Sequence, residues 1–134
     1  MDNSAFVGAW RLVSETEQGA AGALIFPRGE NPRGMLMYQA DGWMSVQLMR
    51  RDHSGSLADL NTALDQYLGY YGRYTVDEFK GTVTHHLESC SYPAWIGTDL
   101  VRRFQFSGNR LTLTAELVKD GKSVERVLVW ERVD

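Results

Sequence analysis

The sequence predicts an all-β protein, an antiparallel β-barrel of eight or nine strands with one inserted α-helix that covers an end. Several segments alternate apolar and polar residues with a period of two, and turn residues separate them. One segment near the middle has helical spacing instead. Many short antiparallel strands in a chain of 134 residues favour a closed barrel, because closure removes exposed strand edges. A flattened sandwich is the structural alternative.

The strands are predicted from this alternation in chain order. The predicted strands are 6–17, 33–40, 43–50, 71–78, 81–89, 98–106, 110–117 and 123–132, and residues 22–27 are a candidate for a further short strand. Glycine, proline, asparagine and aspartate are concentrated in the connections between them, as turn chemistry requires. The first strand has Trp10 and Leu12 on one face.

The Asp41-Gly42 hairpin has two conceivable registers. A two-residue turn opposes Tyr38 to Ser45, whereas a three-residue loop with a left-handed Gly42 opposes Tyr38 to Met44. The second register is preferred because it collects one apolar face. That face consists of Leu36, Tyr38, Met44, Val46 and Leu48. Met35, Met37 and Trp43 then lie outside, where they suit a homodimer contact.

The exception to the strand pattern is residues 54–72. Its apolar residues recur at spacings of three and four, as on one face of a helix. These residues are Leu57, Leu60, Leu64, Tyr67 and Leu68. Ser56 is a suitable N-cap and Gly69 a suitable stop, so the sequence predicts one helix here.

Composition restricts the class of protein. The length favours a single domain over residues 1–134. A net charge of -3, with scattered basic residues, argues against a nucleic-acid surface. Cys90 is the only cysteine, so no intrachain disulfide can form. The N-terminus lacks a signal-peptide pattern and no apolar run is long enough to cross a bilayer, so we expect a cytoplasmic protein without a membrane partner.

The segment "GAWRL" resembles the Gly-x-Trp opening of lipocalins and other calycin barrels. Four further segments resemble the small bacterial and fungal lipocalin-like domain family. They are "YQADGWMSVQLMR", "YGRYTVDEFKGTVTHHLE", "WIGTDLVRRFQFSGNRLTL" and "LVWER". The resemblance implies a calycin-type barrel that binds small apolar molecules. It also admits a cyclase or isomerase of natural-product biosynthesis, since fold does not fix function. In such barrels a late arginine commonly covers the first-strand tryptophan, which implies a structural pair of Trp10 and Arg132 here.

Two adjacent histidines stand in the strand 81–89, and alternation separates them. Successive side chains of a strand point to opposite faces. His85 shares a face with Val83 and Leu87 and is predicted to point into the barrel, whereas His86 shares the outer face with Glu88. A metal site would need His86 and Glu88 with a third ligand such as His53, and that pattern is weak, so no metal is predicted.

The same test on residues 99–106 gives an unexpected inward charge. Leu100, Arg102, Phe104 and Phe106 fall on the inner face. A guanidinium on an apolar face needs a partner, which is either a structural carboxylate or carbonyl cluster or the anionic group of a ligand. Both interpretations of Arg102 stay open. His85 likewise is either a neutral core imidazole or a group that acts on a ligand.

The predicted function is therefore binding of a small, largely apolar molecule that carries a polar or anionic group. The predicted ligand-binding residues are Tyr38, Met44, Val46, Tyr74, His85, Leu100, Arg102 and Phe104. The first alternative is a cofactor-free cyclase or isomerase acting on a polyketide- or terpenoid-like substrate, with His85 and Tyr74 as catalytic residues. The second is a dimeric interaction module with a filled core. No cofactor is predicted in any of these cases.

Overall fold

The computed structural model describes residues 3–19, 22–51 and 66–133. Their strands are β1 (Gly8–Gln18), β2 (Leu24–Ile25), β3 (Arg33–Tyr38), β4 (Trp43–Met49), β5 (Leu68–Asp77), β6 (Thr82–Cys90), β7 (Asp99–Ser107), β8 (Arg110–Lys119) and β9 (Lys122–Val133). A 3₁₀ turn, Pro93–Trp95, lies between β6 and β7. The strands that alternation predicts are all present, including the short one within 22–27.

Eight of these strands close into an antiparallel barrel. Pairing runs in sequence from β3 to β9, and β1 completes the ring by pairing with both β3 and β9. The short β2 lies outside the ring, where it pairs with the end of β1 through Glu17 and Ile25. The prediction of an all-β closed barrel is confirmed.

The β3–β4 hairpin adopts the three-residue loop. Tyr38 lies opposite Met44, and Gly42 has φ of 95°, a left-handed conformation that side-chain-bearing residues rarely adopt. Leu36, Tyr38, Met44, Val46 and Leu48 are all buried. The preferred register is therefore confirmed. On the outer face, the guanidinium of Arg73 lies 4.2 Å from the ring centre of Trp43.

The predicted helix is wrong at its C-terminal end. Strand β5 begins at Leu68, so residues 68–72 are extended and not helical. Leu68 and Tyr70 are both buried, a spacing of two that belongs to a strand. The part of the prediction on residues 54–65 lies outside the described residues. Within the described ranges there is no α-helix, and no helix there could cross a bilayer.

Aromatic side chains fill one half of the barrel interior, which we call the packed half. Phe6, from the turn before β1, lies at its centre. Its ring is 5.4 Å from Tyr38, 5.0 Å from Phe104 and 4.9 Å from Phe106, each with an edge-to-face geometry. Because Phe6 is 2% exposed, this end of the barrel is closed to solvent.

A tryptophan–arginine pair fastens the N-terminal segment across this closed end. The guanidinium of Arg132 lies 4.2 Å from the ring centre of Trp10 and donates hydrogen bonds of 2.8 Å to the carbonyls of Val7 and Ala5. The indole Nε1 of Trp10 donates to the Phe6 carbonyl at 2.9 Å. The structural pairing of Trp10 with Arg132 is confirmed.

Replacing Arg132 with methionine is expected to lower the free energy of unfolding by about 1–3 kcal/mol, because two hydrogen bonds and a cation–π contact are lost. Thermal and urea denaturation measure the change. Arg110→Met, at an exposed position of β8, is the matched control and should alter stability by less than about 0.5 kcal/mol. Equal effects of the two substitutions would contradict a fastening role for Arg132.

Candidate functional site

The other half of the barrel, where β1 ends and β9 begins, contains a cavity of about 300 Å³. Most of its wall is apolar. The apolar side chains of the wall include Leu36, Val46, Leu48, Leu68, Leu113 and Leu128. Trp95 and Val118 also line it and are 37% and 77% exposed, so the cavity reaches the protein surface at this end. An apolar cavity with few polar groups is the composition of a small-molecule site.

His85 lies at the wall of this cavity, between two tyrosine hydroxyls. The residue is 2% exposed, as the alternation along β6 predicts. Its Nε2 is 2.6 Å from the Tyr38 hydroxyl oxygen and its Nδ1 is 2.7 Å from that of Tyr70. Burial, assisted by the Arg102 guanidinium, lowers the pKa of His85 to about 3. The imidazole is therefore neutral at physiological pH.

A neutral imidazole has one donor and one acceptor nitrogen, so one of the two tyrosines donates to His85 and the other accepts from it. Tyr38 is completely buried, and His85 is its hydrogen-bond partner in the structure. We assign Tyr38 as the donor to Nε2, because its hydroxyl hydrogen would otherwise lack an acceptor in the core. Nδ1–H then donates to the Tyr70 oxygen. Burial raises the pKa of Tyr70, so its hydroxyl keeps its proton, and Tyr70 lines the cavity. The chain Tyr38–His85–Tyr70 thus presents one hydroxyl donor to a ligand.

Arg102 projects from β7 into the same cavity. Burial lowers the pKa of this guanidinium, and Arg126 lowers it further, but an arginine remains charged in proteins. Its Nη1 donates to the carbonyl of Val101 at 3.2 Å, and among the described residues it makes no ion pair with a carboxylate. Of the two interpretations left open for Arg102, the structural carboxylate partner is therefore absent from the described part of the chain.

Two further arginines at the cavity wall are paired with buried carboxylates. Arg28 Nη1 lies 2.6 Å from Glu15 Oε2, and Arg126 Nη2 lies 2.7 Å from Glu17 Oε1. Glu15 and Glu17 are 1% and 3% exposed. Among the residues that the structure describes, three guanidiniums thus face two carboxylates, and Arg102 is the one without a carboxylate partner. The described part of the cavity therefore carries a net positive charge beside an apolar wall.

Not all predicted ligand-binding residues reach the cavity. Val46, His85 and Arg102 line it, and Tyr38 lies directly behind His85. The other four are Met44, Tyr74, Leu100 and Phe104, which pack against the core without lining the cavity. The Tyr74 hydroxyl donates to the Gln39 carbonyl at 2.7 Å and accepts from Asn3 Nδ2 at 2.8 Å. It belongs to the packed half.

His86 lies on the outer surface, as predicted. Its Nδ1 is 2.9 Å from Asp99 Oδ1 and its Nε2 is 3.0 Å from the Thr75 hydroxyl. These contacts join the outer faces of β5, β6 and β7. Within residues 3–19, 22–51 and 66–133, no group of three or more histidine, cysteine, aspartate and glutamate side chains could hold a metal ion.

Six polar or aromatic residues of the cavity wall were not predicted as site residues. They are Glu15, Arg28, Tyr70, Trp95, Arg126 and Trp130. Simple alternation over 123–132 places Arg126 on the same face as Leu128 and Trp130, so this signal was available in the sequence. Alternation over 70–76 likewise places Tyr70 on the same face as Tyr74 and Val76. Arg28 lies in a loop after β2, where periodicity predicts no orientation.

Comparisons with known proteins agree with this architecture. A family model described as a lipocalin-like domain matches residues 7–133. The chain is also similar to a protein of Aspergillus oryzae named 4'-hydroxy-3'-methoxypropiophenone carrier protein. The two are 35% identical over 107 residues, which is 67% of this chain and 96% of the relative.

Proposed function

The chain belongs to the lipocalin-like domain family, and on this premise we propose that it carries a small, largely apolar aromatic molecule in the barrel cavity. The observation that carries the proposal is an apolar cavity in which Arg102 has no carboxylate partner among the described residues and the Tyr70 hydroxyl is available as a donor. Its volume of about 300 Å³ is at the lower end for small-molecule sites, which favours a ligand of one ring over a long lipid. The relative's name refers to a ligand of this type, a hydroxylated aryl ketone.

In this proposal Arg102 and Tyr70 bind the ligand's polar group, a carbonyl or anionic oxygen. A guanidinium supplies paired donors to such an oxygen, and a hydroxyl fixed by His85 loses little freedom on binding. Leu36, Leu48 and Leu113 contact the apolar remainder. The guanidinium and the apolar wall then suit an aryl ketone or an aryl acid.

The test is a titration with 4'-hydroxy-3'-methoxypropiophenone. Tryptophan fluorescence monitors binding, because Trp95 and Trp130 line the cavity. We expect saturable binding to the native protein and about tenfold or greater weakening by Arg102→Leu. Arg103→Leu is the matched control: it removes the neighbouring guanidinium, which lies outside the barrel near Glu116 and Glu125, and should leave affinity unchanged.

Two outcomes would contradict the proposal. Equal weakening by both substitutions would assign the effect to general charge and not to the cavity. No binding to the native protein, together with no small molecule retained in native mass spectrometry of freshly purified protein, would remove support for a carrier.

The cyclase or isomerase hypothesis stays a prediction with less support. A histidine whose pKa burial lowers to about 3 is a weak base, and both of its nitrogens already contact tyrosines. The Tyr74 hydroxyl bonds to Gln39 and Asn3 and does not line the cavity. A module with a filled core is disfavoured by the cavity itself. A homodimer and a cytoplasmic location stay predictions.

A further inference from the structure

Two buried polar atoms lack a hydrogen-bond partner among the described residues, and both belong to the wall of the cavity. They are Glu15 Oε1 and Trp130 Nε1. Both residues are 1% exposed. Native proteins satisfy nearly all buried polar atoms because an unsatisfied one is costly, so two in one cavity indicate positions that a ligand satisfies.

The unpartnered oxygen of Glu15 needs a donor. Its other oxygen, Oε2, lies 2.6 Å from Arg28 and 4.0 Å from Arg126 Nε, so the carboxylate is held by cations on one side only. A carboxylate oxygen accepts hydrogen bonds and cannot donate. An ammonium donor would meet three guanidiniums at this wall, those of Arg28, Arg102 and Arg126, and is therefore disfavoured. A neutral hydroxyl group is the donor that fits.

The indole nitrogen of Trp130 needs a hydrogen-bond acceptor, because an indole N–H can only donate. Trp130 lies on β9 opposite Leu12, and Leu128, two residues earlier, lies opposite Glu15. Glu15 and Trp130 are therefore neighbours across β1 and β9, separated along the strand direction by about 7 Å, the rise of two residues. A single small ligand can contact both side chains.

We propose that the ligand is a phenol that keeps its proton, donates its hydroxyl hydrogen to Glu15 Oε1 and offers an adjacent oxygen to Trp130 Nε1. This rests on the proposed carrier function and narrows its ligand class. A simple aryl carboxylate cannot satisfy Glu15, because two carboxylates repel. The ligand is therefore a hydroxylated aromatic compound, with its hydroxyl at β1 and β9 and its other polar group toward Arg102 and Tyr70.

The test compares 4'-hydroxy-3'-methoxypropiophenone with its O-methyl ether, in which a methyl group replaces the hydroxyl hydrogen. The native protein should bind the phenol about tenfold or more tightly than the ether. Glu15→Gln should abolish this preference. Arg28 will hold the amide oxygen, so the amide nitrogen faces the cavity and donates equally well to a hydroxyl or an ether oxygen.

Glu17→Gln is the matched control, since Glu17 is an equally buried carboxylate of the same strand that pairs with Arg126 and does not line the cavity. It should retain the preference for the phenol. An independent readout on native protein is the indole N–H signal of Trp130 in ¹⁵N-labelled samples, assigned by Trp130→Phe. This signal should shift on saturation, whereas that of Trp10, bonded to Phe6, should not.

The outcomes separate this proposal from the carrier function. If the native protein binds phenol and ether equally, or Glu15→Gln keeps the preference, the carrier function stands and the phenol proposal is overturned. An unshifted Trp130 N–H signal at saturation overturns the part of the proposal in which a ligand oxygen accepts a hydrogen bond from Trp130. If neither compound binds the native protein, both proposals fail for this ligand class.

Discussion

Substituting Gly72 by alanine is expected to destabilise the barrel by about 3 kcal/mol or more, a large share of the ~5–15 kcal/mol typical of a domain. Gly72 lies on β5 where the register with β6 shifts, directly after the pair Tyr71 and Ser89. A Cβ at this position would overlap the backbone carbonyl of His86. A backbone atom cannot move aside as a side chain can, so β5 and β6 would have to separate locally.

Denaturation by urea, followed by circular dichroism, measures this loss. Gly19→Ala is the matched control, because a Cβ there would have no atom within 4 Å and the backbone is not left-handed. It should change the free energy of unfolding by less than about 1 kcal/mol. If Gly72→Ala unfolds at the same urea concentration as the native protein, the two strands do not approach as closely at this bulge as the structure shows.

Alternation predicted the parts of the barrel where pairing is regular. On β6 and β7 it placed His85 and Arg102 inside and His86 outside, because one face of each strand is clearly apolar. It also selected the register of the β3–β4 hairpin, since a slip of one residue would have buried Ser45. In these strands the requirement to bury one apolar face determines every orientation.

Alternation failed where a bulge reverses it. Starting from Trp10 and Leu12, strict alternation places Ser14 and Thr16 inside and Glu15 and Glu17 outside. The register shifts between Leu12 and Ser14, so the two glutamates point inward instead. The position of a bulge depends on the contacts of the folded barrel. Alternation in the sequence therefore could not predict that these two carboxylates are buried.

The end of the predicted helix shows a second limit. Leu64 and Leu68 are four residues apart, whereas Leu68 and Tyr70 are two apart, so the same segment satisfies both periodicities. In the barrel, Leu68 pairs with Leu48 and Tyr70 pairs with Val46, and these tertiary contacts select the strand. Propensity over a short apolar run cannot decide between the two structures.

Replacing His85 with leucine is expected to cost about 2–5 kcal/mol at neutral pH. The substitution removes the imidazole to which both tyrosines are hydrogen-bonded. It leaves the Tyr38 hydroxyl unpaired in the core, whereas the Tyr70 hydroxyl can still reach the cavity. His86→Leu is the matched control on the same strand. It removes only partly exposed contacts with Asp99 and Thr75 and should cost less than about 1 kcal/mol.

The stability gap between the native protein and His85→Leu should itself depend on pH. Burial lowers the pKa of His85 from 6.5 to about 3 in the folded protein. Between these values the unfolded chain binds a proton that the folded protein excludes, so stability falls as pH falls through this window and is fully present above about 6.5. The leucine variant lacks this pH-dependent change in stability. Its free energy of unfolding should therefore approach that of the native protein as pH decreases from 6.5 toward 3, as measured by urea denaturation at each pH. A gap that stays constant across this range would mean that the imidazole takes up its proton in the folded state, and the hydrogen bonds from Tyr38 and to Tyr70 would then have to be reassigned.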